Sequence, residues 1–386
     1  MAKRIAILGS TGSIGKNALK VIEALGSDYK VAALTAHNNI KLLAEQVAKF
    51  RPKIAVVTNP DKIGSFKELL GESKTEILVG DEGLLAAASD KNVDIVIAAI
   101  VGVAGLAAIL AAAKAGKILA IANKEPLVVA GELLTKTARQ SGAKILPMDS
   151  EHSAVFQALQ AGNVKEVSRI ILTASGGPFR GATAEQIQNA TIEQALAHPT
   201  WNMGKKITID SATMMNKALE VIEARWLFDV PVEKIEILIH PESIIHSMVE
   251  FVDGSVIAQM SNPDMCLPIQ YALTYPKRVK GQQEPLRLEQ IGTLTFERPD
   301  MEVFKALKIG YQVARTGGTA TAVFNAANEA AIKEFLEGRI KFVNIVELIE
   351  RCLDKHTVKT EARLEDLLLA DNWARNEVKG CLNKIG

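Results

Sequence analysis

From His198 to Glu220 the chain reads HPTWNMGKKITIDSATMMNKALE, placing His198, Ser211, Thr213, Asn216, Lys217 and Glu220 within 23 residues. The spacing predicts a helix from about Ser211 to Arg225, capped by Asp210 or Ser211. On that helix Asn216 and Glu220 stand at i,i+4, and Lys217 and Glu220 at i,i+3. An amide, an ammonium and a carboxylate therefore share one flank. Met215, Leu219, Ile222 and Trp226 recur on another flank and read as core. On an average helix such a polar trio is a solvated surface. Here the residues leading in (His198, Trp201, Asn202, Gly204, Lys205, Lys206) have the composition of a lid over an anion. Backbone N–H groups at a helix start, with Ser211 beside them, favour a phosphate. A phosphate subsite next to a carboxylate points to a phosphorylated substrate whose other end reaches a metal.

Asp149 and Glu151 form the second constellation. Two carboxylates one residue apart, with no thiolate or paired histidine, suit a hard cation with oxygen ligands, Mg2+ or Mn2+. The competing reading is a helix cap, with Asp149 opening an apolar helix near Ser153. Glu220, a third carboxylate among phosphate-type donors, favours the metal.

The third is GSTGSIG, Gly9 to Gly15, directly after the first apolar run. Such a loop lets backbone amides approach a pyrophosphate at a helix start. Its spacing, G-x-x-G-x-x-G, is not the commoner G-x-G-x-x-G. Where an NAD site carries an acid after the second strand, this chain has Thr35-Ala36-His37-Asn38-Asn39. With no acid to repel a 2′-phosphate, NADP is favoured.

The elements that must position these groups alternate strand and helix over residues 3–148. Expected strands are Arg4–Leu8, Val31–Leu34, Ile54–Thr58, Ile77–Val79, Val93–Ala99, Ile118–Ala122 and Ile145–Pro147, with helices such as Lys41–Phe50 and Leu127–Gln140. This alternation predicts a parallel sheet wrapped by helices. Asn123-Lys124-Glu125 and Asp149 to His152 then follow the sixth and seventh strands, at the carboxyl ends where ligands collect. Val167–Thr173, Ile235–Ile239, Ile244–Phe251 and Val256–Met260 predict a second, smaller sheet, with Asp253-Gly254 as a hairpin turn. His240 and His246 read as packed structural groups. Residues 277–300 read as a linker, and the chain from Met301 onward as a small helical bundle without chemistry of its own. The expected division is a Rossmann-like cofactor domain at 1–148, an α+β catalytic domain at 149–285, and linker plus helical bundle at 286–386.

Composition agrees with this class. The chain has 386 residues, 48% hydrophobic and 23% charged, with a formal net charge of +1. The near-zero charge implies neither nucleic acid nor an anionic membrane. Cys266, Cys352 and Cys381 form no CxxC pair, which fits a reducing cytoplasm. Ile95 to Ala113 is 19 uncharged residues, about the length of a bilayer span. Its β-branched start and its glycines at 102 and 105 instead predict a buried strand, a turn and a helix. No signal peptide is expected, the first apolar run being too short.

The segments GSTGSIG (9–15), NKE (123–125), MDSEHSA (148–154), SGGPF (175–179), the 198–217 block and HPESIIHSMVEF (240–251) together resemble the 1-deoxy-D-xylulose 5-phosphate reductoisomerases. These enzymes form 2-C-methyl-D-erythritol 4-phosphate for non-mevalonate isoprenoid synthesis. The resemblance implies NADPH and a divalent metal (Mg2+ or Mn2+, with Co2+ admissible) as cofactors, and a homodimer. It implies Asp149, Glu151 and Glu220 as metal ligands. Ser150 and Glu151 would meet the substrate's hydroxyl and carbonyl end, and Ser175, Ser211, Asn216 and Lys217 its phosphate. His198 would lie over the substrate, with Trp201 and Met203 in a flap. Gly9, Thr11, Gly12, Ser13, Ile14, His37, Asn38, Asn39, Asn123, Lys124, Glu125 and Gly204 match cofactor positions. Catalytic roles would fall to Glu151, Lys124 and His198. Two departures stand out: the family often has Gly-Lys-Asn or Gly-Arg-Asn where this chain has His37-Asn38-Asn39, and NKGLE where it has NKALE. Ala218 leaves every ligand in place. Two other readings use many of the same residues: a metal-dependent NADP dehydrogenase of a phosphorylated hydroxy acid, and a nucleotide-sensing regulator.

Overall fold

The computed structural model describes residues 2–201 and 203–382. Seven strands, β1 (Lys3–Leu8), β2 (Tyr29–Ala36), β3 (Ile54–Val57), β4 (Glu76–Val79), β5 (Ile95–Ala98), β6 (Ile118–Ile121) and β7 (Lys144–Pro147), form one sheet in the order β4-β3-β2-β1-β5-β6-β7. Every pairing in it is parallel. All four residues of β3 and of β5 are buried, as strands covered on both faces require. The order reverses between β1 and β5, which makes their carboxyl ends the switch point of the sheet.

The apolar run at 95–113 resolves into β5, a turn, and the helix Leu106–Lys114. No helix among the described residues is long and apolar enough to cross a membrane.

The second sheet has the order β11-β10-β8-β9, built from β8 (Val167–Ala174), β9 (Ile235–Ile239), β10 (Ile245–Phe251) and β11 (Val256–Met260). β8 is parallel to β9 and antiparallel to β10. The turn after β10 carries Gly254 at φ +84°, a conformation that favours glycine. Four long helices follow the 277–300 segment: Ala306–Thr316, Thr319–Leu336, Asn344–Lys355 and Leu364–Leu382.

The chain forms two compact units. The first comprises Met1–Pro126, Leu134–Ser153 and Asp264–Glu284; the second comprises Leu127–Leu133, Ala154–Pro263 and Pro285–Gly386. The first unit thus includes a helix, Cys266–Thr274, that packs against the helix Ser13–Leu25 and against β6 and β7. The second contains the small sheet and the four C-terminal helices.

One expected boundary is wrong. The helix predicted over Ser211–Arg225 is two helices, Lys205–Ala212 and Met215–Phe228. Met214, at φ +60°, turns the backbone left-handed between them. Asp210 and Ser211 end the first helix instead of capping the second. The hydroxyl that replaces their cap is Thr213 Oγ1, which accepts from Met215 N–H at 3.3 Å.

Candidate active site

In the first unit, the loop after β1 is tied to β2. Gly9 N–H donates to Thr35 Oγ1 at 2.8 Å, and Ser10 N–H to the Thr35 carbonyl at 2.9 Å. The three glycines differ in what they leave room for. A Cβ on Gly15 would stand 2.4 Å from the Gly9 carbonyl oxygen, and one on Gly9 would stand 2.6 Å from that of Ala99. Those two serve the close packing of loop, helix and sheet. A Cβ on Gly12, the N-cap of Ser13–Leu25, would meet nothing nearer than 3.5 Å. Gly12 therefore keeps open a surface that a pyrophosphate would approach, with Thr11, Ser13 and Ile14 beside it.

At the end of β2, His37, Asn38 and Asn39 are exposed, with no acid among them. His37 Nδ1 lies 2.9 Å from Thr58 Oγ1, and Asn38 Oδ1 accepts from Asn59 Nδ2 at 2.8 Å. Asn39 caps the helix Ile40–Phe50 through Leu42 N–H.

After β6, Asn123 and Lys124 lead into the helix Glu125–Ser141, and Asn123 Nδ2 reaches Glu125 Oε2 at 3.4 Å. Lys124 forms an ion pair with Asp149, both little exposed at 13% and 15%. Asp149 also faces His152 Nδ1 at 3.6 Å. Burial opposes charge on Asp149, but the Lys124 ammonium and the His152 ring outweigh it and hold the carboxyl far below the usual carboxylate range. Ser150 Oγ donates to Glu151 Oε2 one residue on. His152, fully buried, is a member of this cluster to which the sequence assigned no role. Its signal is its i,i+3 spacing from Asp149. Asp149 thus presents ionised oxygen donors, the type a hard divalent cation takes, with the Glu151 carboxyl group one residue away along the helix.

In the second unit, the strand end of β8 and the two helices flanking Met214 bring the other candidates into their places. Gly176 (φ +86°) and Gly177 (φ +66°) follow Ser175. A Cβ on Gly177 would stand 2.6 Å from the Ser211 carbonyl oxygen, so the loop bearing Ser175 packs directly on the turn bearing Ser211. His198 Nδ1 accepts from the backbone N–H groups of Thr200 (3.1 Å) and Trp201 (2.9 Å). That assignment puts the ring proton on Nε2, which donates to Ser175 Oγ at 3.1 Å. Burial lowers the imidazole pKa below its ordinary value, in keeping with a neutral ring. Gly177 N–H also donates to Ser175 Oγ, at 3.3 Å. Two donors feed this oxygen, so the Ser175 hydroxyl proton is left to donate, as an anion requires.

Glu220 is fully buried, with both oxygens engaged. Asn216 Nδ2 donates to Oε1 at 2.6 Å, and Lys217 Nζ to Oε2 at 2.7 Å. Lys217 is 4% exposed and also donates to the Thr173 carbonyl at 2.6 Å. Asn216 Oδ1 is buried and has no partner among the described residues. Such an orphan acceptor costs about 1–3 kcal/mol, and a substrate hydroxyl would satisfy it. A phosphate oxygen there would need the amide turned around, at the expense of its bond to Glu220.

Trp201 and Met203 are half-buried in irregular chain, and Gly204 caps the helix Lys205–Ala212. Asn202, expected in the same lid, lies outside the described residues. His240 and His246 are structural, as expected. His240 Nε2 accepts from Ile244 and Ile245 N–H at 3.1 Å each, and His246 Nε2 meets Ser261 Oγ at 2.8 Å.

Comparison with known proteins covers nearly the whole chain. A family model described as 1-deoxy-D-xylulose 5-phosphate reductoisomerase matches residues 5–131, that enzyme's C-terminal domain matches 145–228, and a DXP reductoisomerase C-terminal domain matches 260–377. The 1-deoxy-D-xylulose 5-phosphate reductoisomerase of Trichlorobacter lovleyi is 50% identical over 383 residues, 99% of this chain and 98% of the relative. That of Pelodictyon phaeoclathratiforme is 51% identical over 377 residues, 98% and 99% of the two chains. Among solved structures, the Zymomonas mobilis reductoisomerase in complex with NADPH is 44% identical, with a TM-score of 0.94 and 99% of each chain covered. A DOX-P reductoisomerase in complex with NADPH, fosmidomycin and magnesium is 42% identical, with a TM-score of 0.94 and 99% of each chain covered.

Proposed function

The chain belongs to the 1-deoxy-D-xylulose 5-phosphate reductoisomerase family, and from that premise we propose which of its residues carry the reaction. The enzyme is an NADP-dependent oxidoreductase that converts 1-deoxy-D-xylulose 5-phosphate to 2-C-methyl-D-erythritol 4-phosphate with NADPH and a divalent metal. The dehydrogenase and sensor readings of the sequence are set aside by this membership.

In our reading the first unit binds NADPH, along Gly9 to Ile14, His37 to Asn39 and Asn123 to Glu125. Asp149, Glu151 and Glu220 hold the cation. When bound, the cation polarises the substrate carbonyl and NADPH supplies hydride. Lys124 keeps Asp149 ionised and oriented, and Ser150 fixes the rotamer of Glu151. Ser175 donates to the substrate phosphate, with its proton aimed by His198 and Gly177, while Ser211 and Lys217 take the remaining phosphate oxygens. Asn216 accepts from a substrate hydroxyl. Trp201, Met203 and Gly204 belong to a lid that excludes water.

The observation that carries this assignment is the pairing of a carboxylate with a lysine in each unit, Asp149 with Lys124 and Glu220 with Lys217. The test is incubation with 1-deoxy-D-xylulose 5-phosphate, NADPH and Mg2+, following nicotinamide absorbance. Oxidation of NADPH should stop on chelation and resume with added Mg2+ or Mn2+, giving a branched polyol phosphate. Turnover that ignores chelator, or a straight-chain product, would overturn the reading.

We further infer that two copies pair through β11. This strand bonds only to β10 in its sheet, and it exposes Val256 (48%) and Ile257 (36%), with Val252 (72%) just before it. An apolar edge of that kind invites a second strand. Sedimentation equilibrium should give a dimer for the native chain and a monomer for Ile257→Lys; a native monomer would refute the pairing. The three free thiols, Cys266, Cys352 and Cys381, support a cytoplasmic location. Recovery of the protein from a membrane or extracellular fraction would count against it.

A further inference from the structure

The C-terminal helices grip the segments that carry the proposed phosphate ligands. On the helix Lys205–Ala212, Asp210 is 1% exposed, and its Oδ2 pairs with Lys206 Nζ at 2.8 Å. Its Oδ1 accepts from Asn328 Nδ2 at 2.8 Å, the donor lying on the helix Thr319–Leu336. Asn328 is fully buried, and its Oδ1 has no partner among the described residues. A buried amide with half its capacity unused is a cost, so its bond to Asp210 is what it contributes.

On the other side of Met214, the helix Met215–Phe228 meets the helix Ala306–Thr316 at Gly310. A Cβ on Gly310 would stand 2.5 Å from Ala218 Cβ and 3.0 Å from Ala218 Cα. Real Cβ contacts do not close that far, and helix cores do not yield easily. A third contact reaches the Ser175 loop, where Phe179 packs edge-on against Phe342 at 5.1 Å, and Phe342 against Phe335 at 5.6 Å.

We propose that Gly310 and Asn328 are positioning residues for the substrate's phosphate end: they fix the helices on either side of Met214, and with them the separation of Ser211 from Asn216 and Lys217. The inference rests on the reading of Ser211 and Lys217 as phosphate ligands. The two gripping helices are joined through Gly317 and Gly318, at φ +65° and +55°. They form a matching pair, so each ligand-bearing helix has its own anchor.

The test is steady-state kinetics on the full enzyme. Gly310→Ala should raise the KM for 1-deoxy-D-xylulose 5-phosphate and the inhibition constant for inorganic phosphate together, by about ten- to a hundredfold. The KM for NADPH should change less than about twofold, because the residues read as its binding site lie in the first unit and the substituted ones in the second. Adding Ala218→Gly should lower the substrate KM at least about threefold from that of Gly310→Ala, since it removes the methyl at 2.5 Å and leaves the tighter-than-usual contact with the Cα of residue 218 at 3.0 Å. Should Gly310→Ala not fold, Asn328→Ala must show the same selective rise. Ser211→Ala separates the two levels of the argument. If it raises the substrate KM while Gly310→Ala and Asn328→Ala leave it unchanged, the clamp is refuted and the ligand assignment stands. If Ser211→Ala also changes nothing, the ligand assignment itself falls. A second-site Ala218→Gly that gives no rescue likewise overturns the clamp.

Discussion

Glu220→Gln is expected to lower kcat by about a hundredfold or more, even at saturating Mg2+, and to shift the Mg2+ dependence to higher concentration. The substitution is nearly isosteric and leaves an oxygen that can still accept from Lys217 Nζ, now 2.7 Å from Oε2. What it removes is one negative charge from a fully buried position. A hard cation takes charged oxygen in preference to amide oxygen, so its loading suffers before anything else. The measurement is the Mg2+ titration of turnover, read beside the thermal melting curve of the same preparation. Retention of full turnover at saturating Mg2+ would take Glu220 out of the metal site, and the three-carboxylate assignment with it.

The largest effect on stability is expected at the other end of the same ion pair. Lys217→Met keeps the length and apolar stem of the side chain but strips the ammonium from beside Glu220, in a pair only 4% and 0% exposed. Breaking a buried pair from one side costs about 3–5 kcal/mol, because the remaining charge stays buried without compensation. At about 2–4 °C per kcal/mol for a unit of roughly 200 residues, that is a fall in melting temperature of about 6 °C or more. The Lys217→Met/Glu220→Gln double variant should regain at least about half of the loss, since no lone charge is then left inside. A Lys217→Met variant as stable as the native chain would mean that the carboxylate finds another cation or takes up a proton at little cost. The buried pair would then not be what holds this helix in register.

How much of this was legible beforehand follows from where the chemistry sits relative to regular patterning. The seven-stranded sheet was readable because its strands are short β-branched runs between glycine-rich or polar joints. Gly9 to Gly15 was readable because two of its glycines answer to packing. The break at Met214 was not. Methionine carries no turn signal, the apolar spacing runs through it unbroken, and Asp210 and Ser211 imitate a cap while the first is in fact tied to Lys206 and Asn328. The helix Cys266–Thr274 was not assigned from the sequence, and Pro268 stands within its first turn. There the missing N–H of a proline is no loss. Asn328 and Gly310 gave no local signal. Their surroundings, an Ala-rich helix and an amphipathic one, read as scaffold, and only the tertiary contacts with Asp210 and Ala218 distinguish them.

The division of the chain also sets a timetable for its synthesis. The first unit is closed by Asp264–Glu284, which lies beyond the long Ala154–Pro263 segment of the second unit. At translation rates of roughly 5–20 residues per second, the nascent sheet waits about 5–20 s for the helix that packs on β6 and β7. Until then the apolar face meant for Cys266–Thr274 is open to solvent. A ribosome stalled between these two points would hold a cofactor fold that has made all its strands and still cannot close.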